Sequence, residues 1–298
     1  MTTALGLGTY RCREITTAAT AALEAGVTWI DTAPNYQGGE AERQLAPFLS
    51  AHPEVQVSTK AGYLAKNHCA EAVQAGVLTA QEAKQGHSLN PSYVSWQVER
   101  SRTELGRSPD IVFLHNPEHG HSSATSLAQQ LLPAFVALEE ACDRGAAGGY
   151  GIATWSALHG EFTTIGRLLK LAHQAGGPNH HLQAVQLPLS LVQITPLAHS
   201  IDGVGVLADA HEAGLHILGA APLHGGELME ILTPAAVELL VPGLTPLEAA
   251  LGAVASSPGV TRILLSASTA EHWEEAAAAV SQPLPMPRLR KIVDAFSP

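Results

Sequence analysis

Short apolar runs alternate with longer mixed runs along the whole chain. Val55-Gln56-Val57-Ser58-Thr59 and Ile111-Val112-Phe113-Leu114 are of strand length and rich in β-branched residues, and the segments between such runs are long enough for helices. The pattern predicts strands at 5–8, 27–31, 55–60, 111–115, 150–154, 184–187, 216–220 and 262–266. Helices are expected at 16–25, 40–49, 93–105, 127–144, 162–174, 204–213 and 246–255, with a last one at 270–279. Asn90-Pro91-Ser92 caps the start of the helix at 93–105, Gly106 follows its last apolar residue, and Gly26 closes the first helix. Strand–helix alternation of this kind implies a parallel sheet. Eight units favour an α/β chain closed into a (β/α)8 TIM barrel, with a doubly wound open sheet as the alternative.

Composition agrees with one domain spanning residues 1–298. The 46% hydrophobic content can fill a large core. A net charge of -11 offers no broad basic face, which argues against nucleic acid and anionic membrane surfaces and leaves small molecules as ligands. Cys12, Cys69 and Cys142 are odd in number and widely spaced, as suits reduced thiols in the cytoplasm. The first residues lack the basic and apolar regions of a signal peptide. The apolar stretch 235–255 is broken by Glu238, Pro242, Pro246 and Glu248, so no transmembrane span is expected, and a cytoplasmic protein is. Oligomeric state is not legible.

Chemistry concentrates where the predicted strands end. Val27-Thr28-Trp29-Ile30 runs into Asp31, with Tyr36 five residues further on; the third strand ends at Lys60 and the fourth at His115. In a parallel barrel those ends share one face. A phenol with a pKa of about 10 donates a proton poorly at neutral pH unless positive charge stabilises its anion. Lys60 can supply that charge, although a lowering of roughly two or three pKa units needs strong, desolvated partners; Asp31 can hold the ammonium, and His115 can hydrogen-bond the substrate oxygen that receives the proton.

With those residues in place, the chain resembles a bacterial branch of the aldo-keto reductase superfamily. The resemblance runs from Gly6-Leu7-Gly8-Thr9-Tyr10 through Asp31-Thr32-Ala33 with Tyr36, Ser58-Thr59-Lys60 and Leu114-His115-Asn116-Pro117 to Pro222-Leu223. It implies a TIM barrel, a nicotinamide cofactor across its top, and reduction of a small-molecule aldehyde or ketone to an alcohol, or the reverse. It also implies Asp31, Tyr36, Lys60 and His115 as the catalytic four, with Tyr36 as general acid/base. Cofactor contacts are expected from Gly8, Thr9, Tyr10, Asp31, Thr154, Gln186, Pro222, Leu223, Ser266, Ser268, His272 and Glu275.

The cofactor positions depart from the family pattern. The usual Ser-Asn pair after the fifth strand is replaced by a stretch in which only Thr154 can offer a side-chain hydrogen bond, and the aromatic that often stacks on the nicotinamide is Ala220. Residues 266–273 contain no Lys or Arg to meet an adenosine 2'-phosphate; His272 stands near the family's arginine position, with Glu271 and Glu275 beside it. The expected cofactor is therefore NADH or NADPH, bound weakly, with NADH equal or favoured. An aldo-keto-reductase-like barrel with a weakened nucleotide site, acting as a non-redox isomerase or lyase or as a binding protein, is the alternative.

The insert at 61–90 is expected to form a lid or pocket wall with a helix at 70–85, and Tyr63, His87, Asn116 and Trp155 are the substrate-side candidates. His180-His181 reads as a loop or strand-entry pair rather than a ligand pair, and its proximity to the sixth strand keeps it near the list of possible pocket residues. No metal is expected: His115, His119 and His121 lie together in one loop, but a site usually needs ligands from elsewhere too, and no His-x-His ends the first strand as in barrel metallohydrolases.

Overall fold

A computed structural model describes residues 3–121, 123–158 and 162–297. Eight parallel strands close into a barrel in sequence order: β1 (Ala4–Gly8), β2 (Trp29–Asp31), β3 (Gln56–Ala61), β4 (Ile111–His115), β5 (Tyr150–Ala153), β6 (Leu182–Pro188), β7 (His216–Ala220) and β8 (Arg262–Leu265). The ring is sealed by β1 pairing with β8, Leu5 opposite Ile263. All eight expected strands form, with ends displaced by one or two residues.

The helices are α1 (Ile15–Glu24), α2 (Ala41–Ala51), α3 (Cys69–Gln74), α4 (Ala80–Gln85), α5 (Pro91–Leu105), α6 (Ala124–Asp143) and α7 (Ile165–Gly176) in the first part of the chain. They continue as α8 (Thr195–Ile201), α9 (Gly205–Glu212), α10 (Glu227–Ile231), α11 (Pro234–Leu240), α12 (Pro246–Ser256), α13 (Ala270–Ser281) and α14 (Met286–Phe296). The expected caps are in place: the Asn90 side chain accepts from the Ser92 N–H at 3.0 Å, and Gly106 and Gly26 take φ of +72° and +81° after their helices. The sequence pattern misses α8, α10, α11 and α14, most of them too short to show a clear period. None of the described helices is long and apolar enough to cross a membrane.

Side chains alternate along each strand, so one set fills the barrel and the other meets the helices. Trp29, Ile111, Phe113, Ala153, Ala184, Leu218 and Leu264 pack inside. Gly151 is required there: a Cβ would stand 2.6 Å from the Phe113 ring and 2.4 Å from the Ala184 carbonyl oxygen. Outside, the helices bury Leu45, Phe135 and Trp273 against the strands.

The expected helix at 70–85 is instead two. Gly76 turns left-handed at φ +70°, and Thr79 starts α4 with a reciprocal capping box to Glu82. Leu64, Ala72 and Leu78 pack on Tyr93 of α5 in a small separate core, and Arg100 of α5 bonds Glu71. The body of the insert therefore docks on the side of the barrel. Its neck is pinned at the barrel's carboxyl end by the Leu64 N–H to Gly86 carbonyl and Ser88 N–H to Gly62 carbonyl bonds, 2.9 and 3.0 Å long.

Candidate active site

Strand periodicity puts Ser58 and Lys60 on one face of β3, and Trp29 and Asp31 on one face of β2. The register sets Asp31 opposite Ser58, inside the barrel. Lys60 Nζ donates to Asp31 Oδ2 at 2.6 Å and to the Thr32 carbonyl at 2.9 Å, both partners buried. Ser58 Oγ donates to the other carboxylate oxygen, Oδ1, at 2.8 Å, and accepts from Trp29 Nε1 at 3.2 Å. A charge this deeply buried is tolerated because each polar atom is answered.

Tyr36 follows β2 in a tight turn, its ring centroid 4.9 Å from Lys60 Nζ and 6.1 Å from that of His115. Tyr10 covers it at 5.2 Å. The expectation of a lowered phenol pKa is corrected here. Burial raises it, the Lys60 ammonium pulls the other way, and the nearby Asp31 charge adds to the rise, so the group stands above its ordinary value. A phenol in that state is protonated at neutral pH. Burial works against the Lys60 charge, but Asp31 and Tyr36 outweigh it and the ammonium is held above its usual range. Burial first, then Lys60 and His87, push His115 well below the usual imidazole range, so it is neutral.

Tyr63, His87 and Asn116 of the substrate-side candidates gather around His115. His87 Nε2 lies 2.8 Å from the His115 carbonyl oxygen, which only accepts, so His87 carries its proton on Nε2. Burial lowers its pKa to about 4, which keeps it neutral. Tyr63 pairs with His87 in a lone antiparallel bridge and packs its ring 4.8 Å from both His87 and His115. Gly62 is needed at this neck: its φ is +136°, and a Cβ would stand 2.9 Å from His87 Nε2. Asn116 takes the left-handed conformation at φ +46°, and Trp155 is 49% exposed on the loop after β5. All five non-glycine residues of positive φ among the described residues, Arg11, Gln37, Asn116, Ala221 and His224, follow β1, β2, β4 or β7 on this same face. Such conformations cluster where a backbone is held for a purpose other than stability.

The cofactor candidates divide. Thr9 is fully buried, donating to the Asp31 carbonyl at 3.1 Å, and Ser266 Oγ donates to the Gly8 carbonyl at 2.6 Å with the Tyr10 carbonyl 3.0 Å away. These bonds brace the loops. Thr154 is also taken: its hydroxyl donates to Glu118 Oε1 at 2.8 Å and accepts the Ala157 N–H at 2.7 Å, so it has no proton left for a carboxamide. Gln186 is different. It is buried, and among the described residues its Nε2 has no hydrogen-bond partner, which leaves a donor free on an inward-facing strand position. Pro222 is buried and Leu223 half-buried beside the left-handed Ala221; Ser268, His272 and Glu275 are exposed at the start of α13. Arg11 reaches this edge from the β1 loop, its Nη1 3.4 Å from where a Gly225 Cβ would stand.

His181 lies elsewhere. It precedes β6 at the opposite end of the barrel, with Nδ1 2.6 Å from Glu139 Oε2, so it enters a strand as expected but is not near the pocket. Among the described residues no three His, Cys, Asp or Glu side chains are grouped to hold a metal. Sequence reasoning missed Ser58, Trp29 and Glu118. The first two were findable, each lying two residues before a catalytic candidate on the same strand face.

A closed parallel barrel with a buried lysine–aspartate pair, a phenol and a neutral imidazole at its carboxyl end is the architecture of a barrel enzyme. A family model described as the aldo/keto reductase family matches residues 3–234, and the chain belongs to that family. It is 33% identical over 141 residues to a D-threo-aldose 1-dehydrogenase from a Pseudomonas species, a match spanning 44% of this chain and 41% of that relative. Two solved structures share the fold over 99% of this chain and 92% of theirs. One is an aldo/keto reductase from Klebsiella pneumoniae in complex with NADP and acetate, 20% identical with a TM-score of 0.68. The other is the holo form of an aldo-keto reductase from Bacillus halodurans, 17% identical with a TM-score of 0.70.

Proposed function

We propose that the protein is a nicotinamide-dependent oxidoreductase that interconverts the carbonyl and alcohol of a small molecule, with Tyr36 as the proton donor and acceptor. The observation that carries this reading is the position of Lys60 Nζ, fixed by Asp31 and Thr32 at 2.6 and 2.9 Å with the Tyr36 ring 4.9 Å away. When bound, the cofactor supplies or accepts the hydride. Gln186 Nε2, buried and without a partner among the described residues, suits the carbonyl of the nicotinamide carboxamide.

Tyr36 gives its proton to the oxygen as negative charge grows there, and the phenolate that forms is stabilised by Lys60. That stabilisation is larger in the transition state than before it, the condition for acceleration. Asp31 and Ser58 keep the ammonium from swinging away, and His115, being neutral, orients the substrate oxygen without competing as an acid. The neck of the insert, through Tyr63 and His87, together with Asn116 and Trp155, walls the substrate side. Rings and imidazoles on this rim suit a polyhydroxylated carbonyl compound such as an aldose, the substrate class in the name of the Pseudomonas relative. NADH is bound at least as well as NADPH, because Ser266 to Trp273 supplies no guanidinium or ammonium.

The test is Tyr36→Phe. Cofactor-dependent reduction of an aldose or a simple aldehyde should fall by about 10²- to 10⁴-fold while cofactor affinity, read by nicotinamide fluorescence, stays near wild type. Near wild-type turnover by the variant would remove Tyr36 from the mechanism. Absence of binding of either nucleotide to the wild type would favour a non-redox barrel, a reading to which the engaged Thr154 lends some support.

A further inference from the structure

The end of the barrel opposite the catalytic candidates carries a cavity of about 330 Å³. Trp29, Gln56, Ile111, His216 and Arg262 line it, and each is the first residue of its strand, so the cavity opens at the amino-terminal mouth, away from the catalytic face. Arg262 is half-buried. Its guanidinium carbon stands 4.8 Å from the centre of the Trp29 ring, and its one hydrogen bond among the described residues runs from Nη1 to the Leu5 carbonyl at 2.8 Å. A guanidinium has five N–H donors, so this half-buried one, with a single bond to protein, keeps donors free at the cavity. The nearest negative charge in the lining, Asp110, is engaged: its Oδ2 accepts the Val57 N–H at 2.8 Å and faces Arg107 Nη2 at 3.6 Å. Gln183 offers a neutral amide, tied among the described residues only by a long 3.3 Å bond from Nε2 to the Gly148 carbonyl. Burial also holds the Arg262 pKa down at about 10, which leaves it cationic at neutral pH.

We propose that this amino-terminal mouth is a binding site for a small oxyanion, a phosphate or a carboxylate, gripped by the Arg262 guanidinium and assisted by the Gln183 amide. A planar fork matches paired oxygens on either group, and such a pair gains strength where water is scarce. The site has a built-in reporter. The Trp29 ring lies against Arg262 while its indole N–H donates to Ser58, which donates in turn to Asp31, so a ligand on Arg262 is one side chain removed from the catalytic hydrogen-bond chain.

The experiment titrates the ¹⁵N-labelled protein with sodium phosphate, and separately with sodium succinate, at ionic strength held constant with chloride. The readout is the Trp29 indole signal, identified with Trp29→Phe. A saturable shift with one of the two anions is expected and tells a phosphate from a carboxylate ligand. Arg262→Met should weaken it by about tenfold or more, and Arg262→Lys, which keeps charge without the fork, by less. No saturation by either anion overturns the proposal, as does a shift that survives Arg262→Met, since that would arise from an anion elsewhere. Should Arg262→Met fail to fold, Arg262→Lys and Gln183→Leu decide: affinity unchanged in both also overturns it.

Discussion

Replacing Lys60 by Met isolates the electrostatic contribution to the proposed proton transfer. With the phenolate charge placed at the ring centre, 4.9 Å from Lys60 Nζ, the two unit charges interact by about 3.4 kcal/mol at an effective dielectric of about 20. That corresponds to about 2.5 pKa units, so Lys60→Met should raise the Tyr36 phenol by roughly two or three units beyond its already elevated value. In carbonyl reduction only part of that energy is expressed, because the proton is partly transferred in the transition state. A loss of about 10²- to 10³-fold in kcat/KM is expected. In alcohol oxidation Tyr36 must start deprotonated; with the phenol above its ordinary value, activity should climb with pH across the whole assayed range without a plateau, and Lys60→Met should lower it at every pH. The assay is steady-state turnover from pH 6 to 10 for wild type, Lys60→Met, Tyr36→Phe and the double variant, all in about that range of pH where the fold persists. If Lys60 acts through Tyr36, the double variant is no slower than Tyr36→Phe alone. Losses that multiply in the double variant, or a Lys60→Met profile superimposable on wild type, would refute the coupling.

Glu42 is buried and its pKa is raised to about 7, chiefly by burial, against the hydroxyl donors of Thr59 and Ser101. The folded state therefore holds a proton that the unfolded state has released between about pH 4.5 and 7, and stability falls by up to about 3 kcal/mol as pH rises through that window. Glu42→Gln should remove that slope; urea unfolding at pH 5 and pH 8 checks it, and an equal effect of the substitution at both values would count against it. His87→Ala strips the partner from the His115 carbonyl, and should lower kcat/KM by about 10- to 100-fold with cofactor affinity unchanged, an equal loss of both arguing against a substrate-side role. His272→Arg places a guanidinium where Ser266 to Trp273 has none, and should tighten NADPH binding by about tenfold, ~1.4 kcal/mol, leaving NADH unmoved; calorimetry with both nucleotides reads the difference.

Much of the architecture was legible because it is local. Apolar runs of strand length, helix-length segments between them and caps such as Asn90 and Gly106 are written within a dozen residues each, and eight repetitions leave a barrel as the economical closure. Asp31, Lys60 and His115 were legible for the same reason: each is a polar residue ending an apolar strand, and parallel closure brings such ends together. What tertiary structure alone decided are contacts between residues far apart in sequence. Thr154 looked open until folding set Glu118 against its hydroxyl, and the insert at 61–90 looked like a cover until Leu64, Ala72 and Leu78 found Tyr93, and Glu71 found Arg100, on the flank of the barrel. The direction of the Tyr36 pKa shift could not be read either, since the cost of burying a phenolate depends on packing, and here it exceeds the pull of a lysine that sequence pattern did identify. Arg262 makes the same point at the other mouth. Its place at the start of β8 is local information, but whether a carboxylate would meet its guanidinium was settled only when the ring closed around Trp29 with none in bonding reach among the described residues.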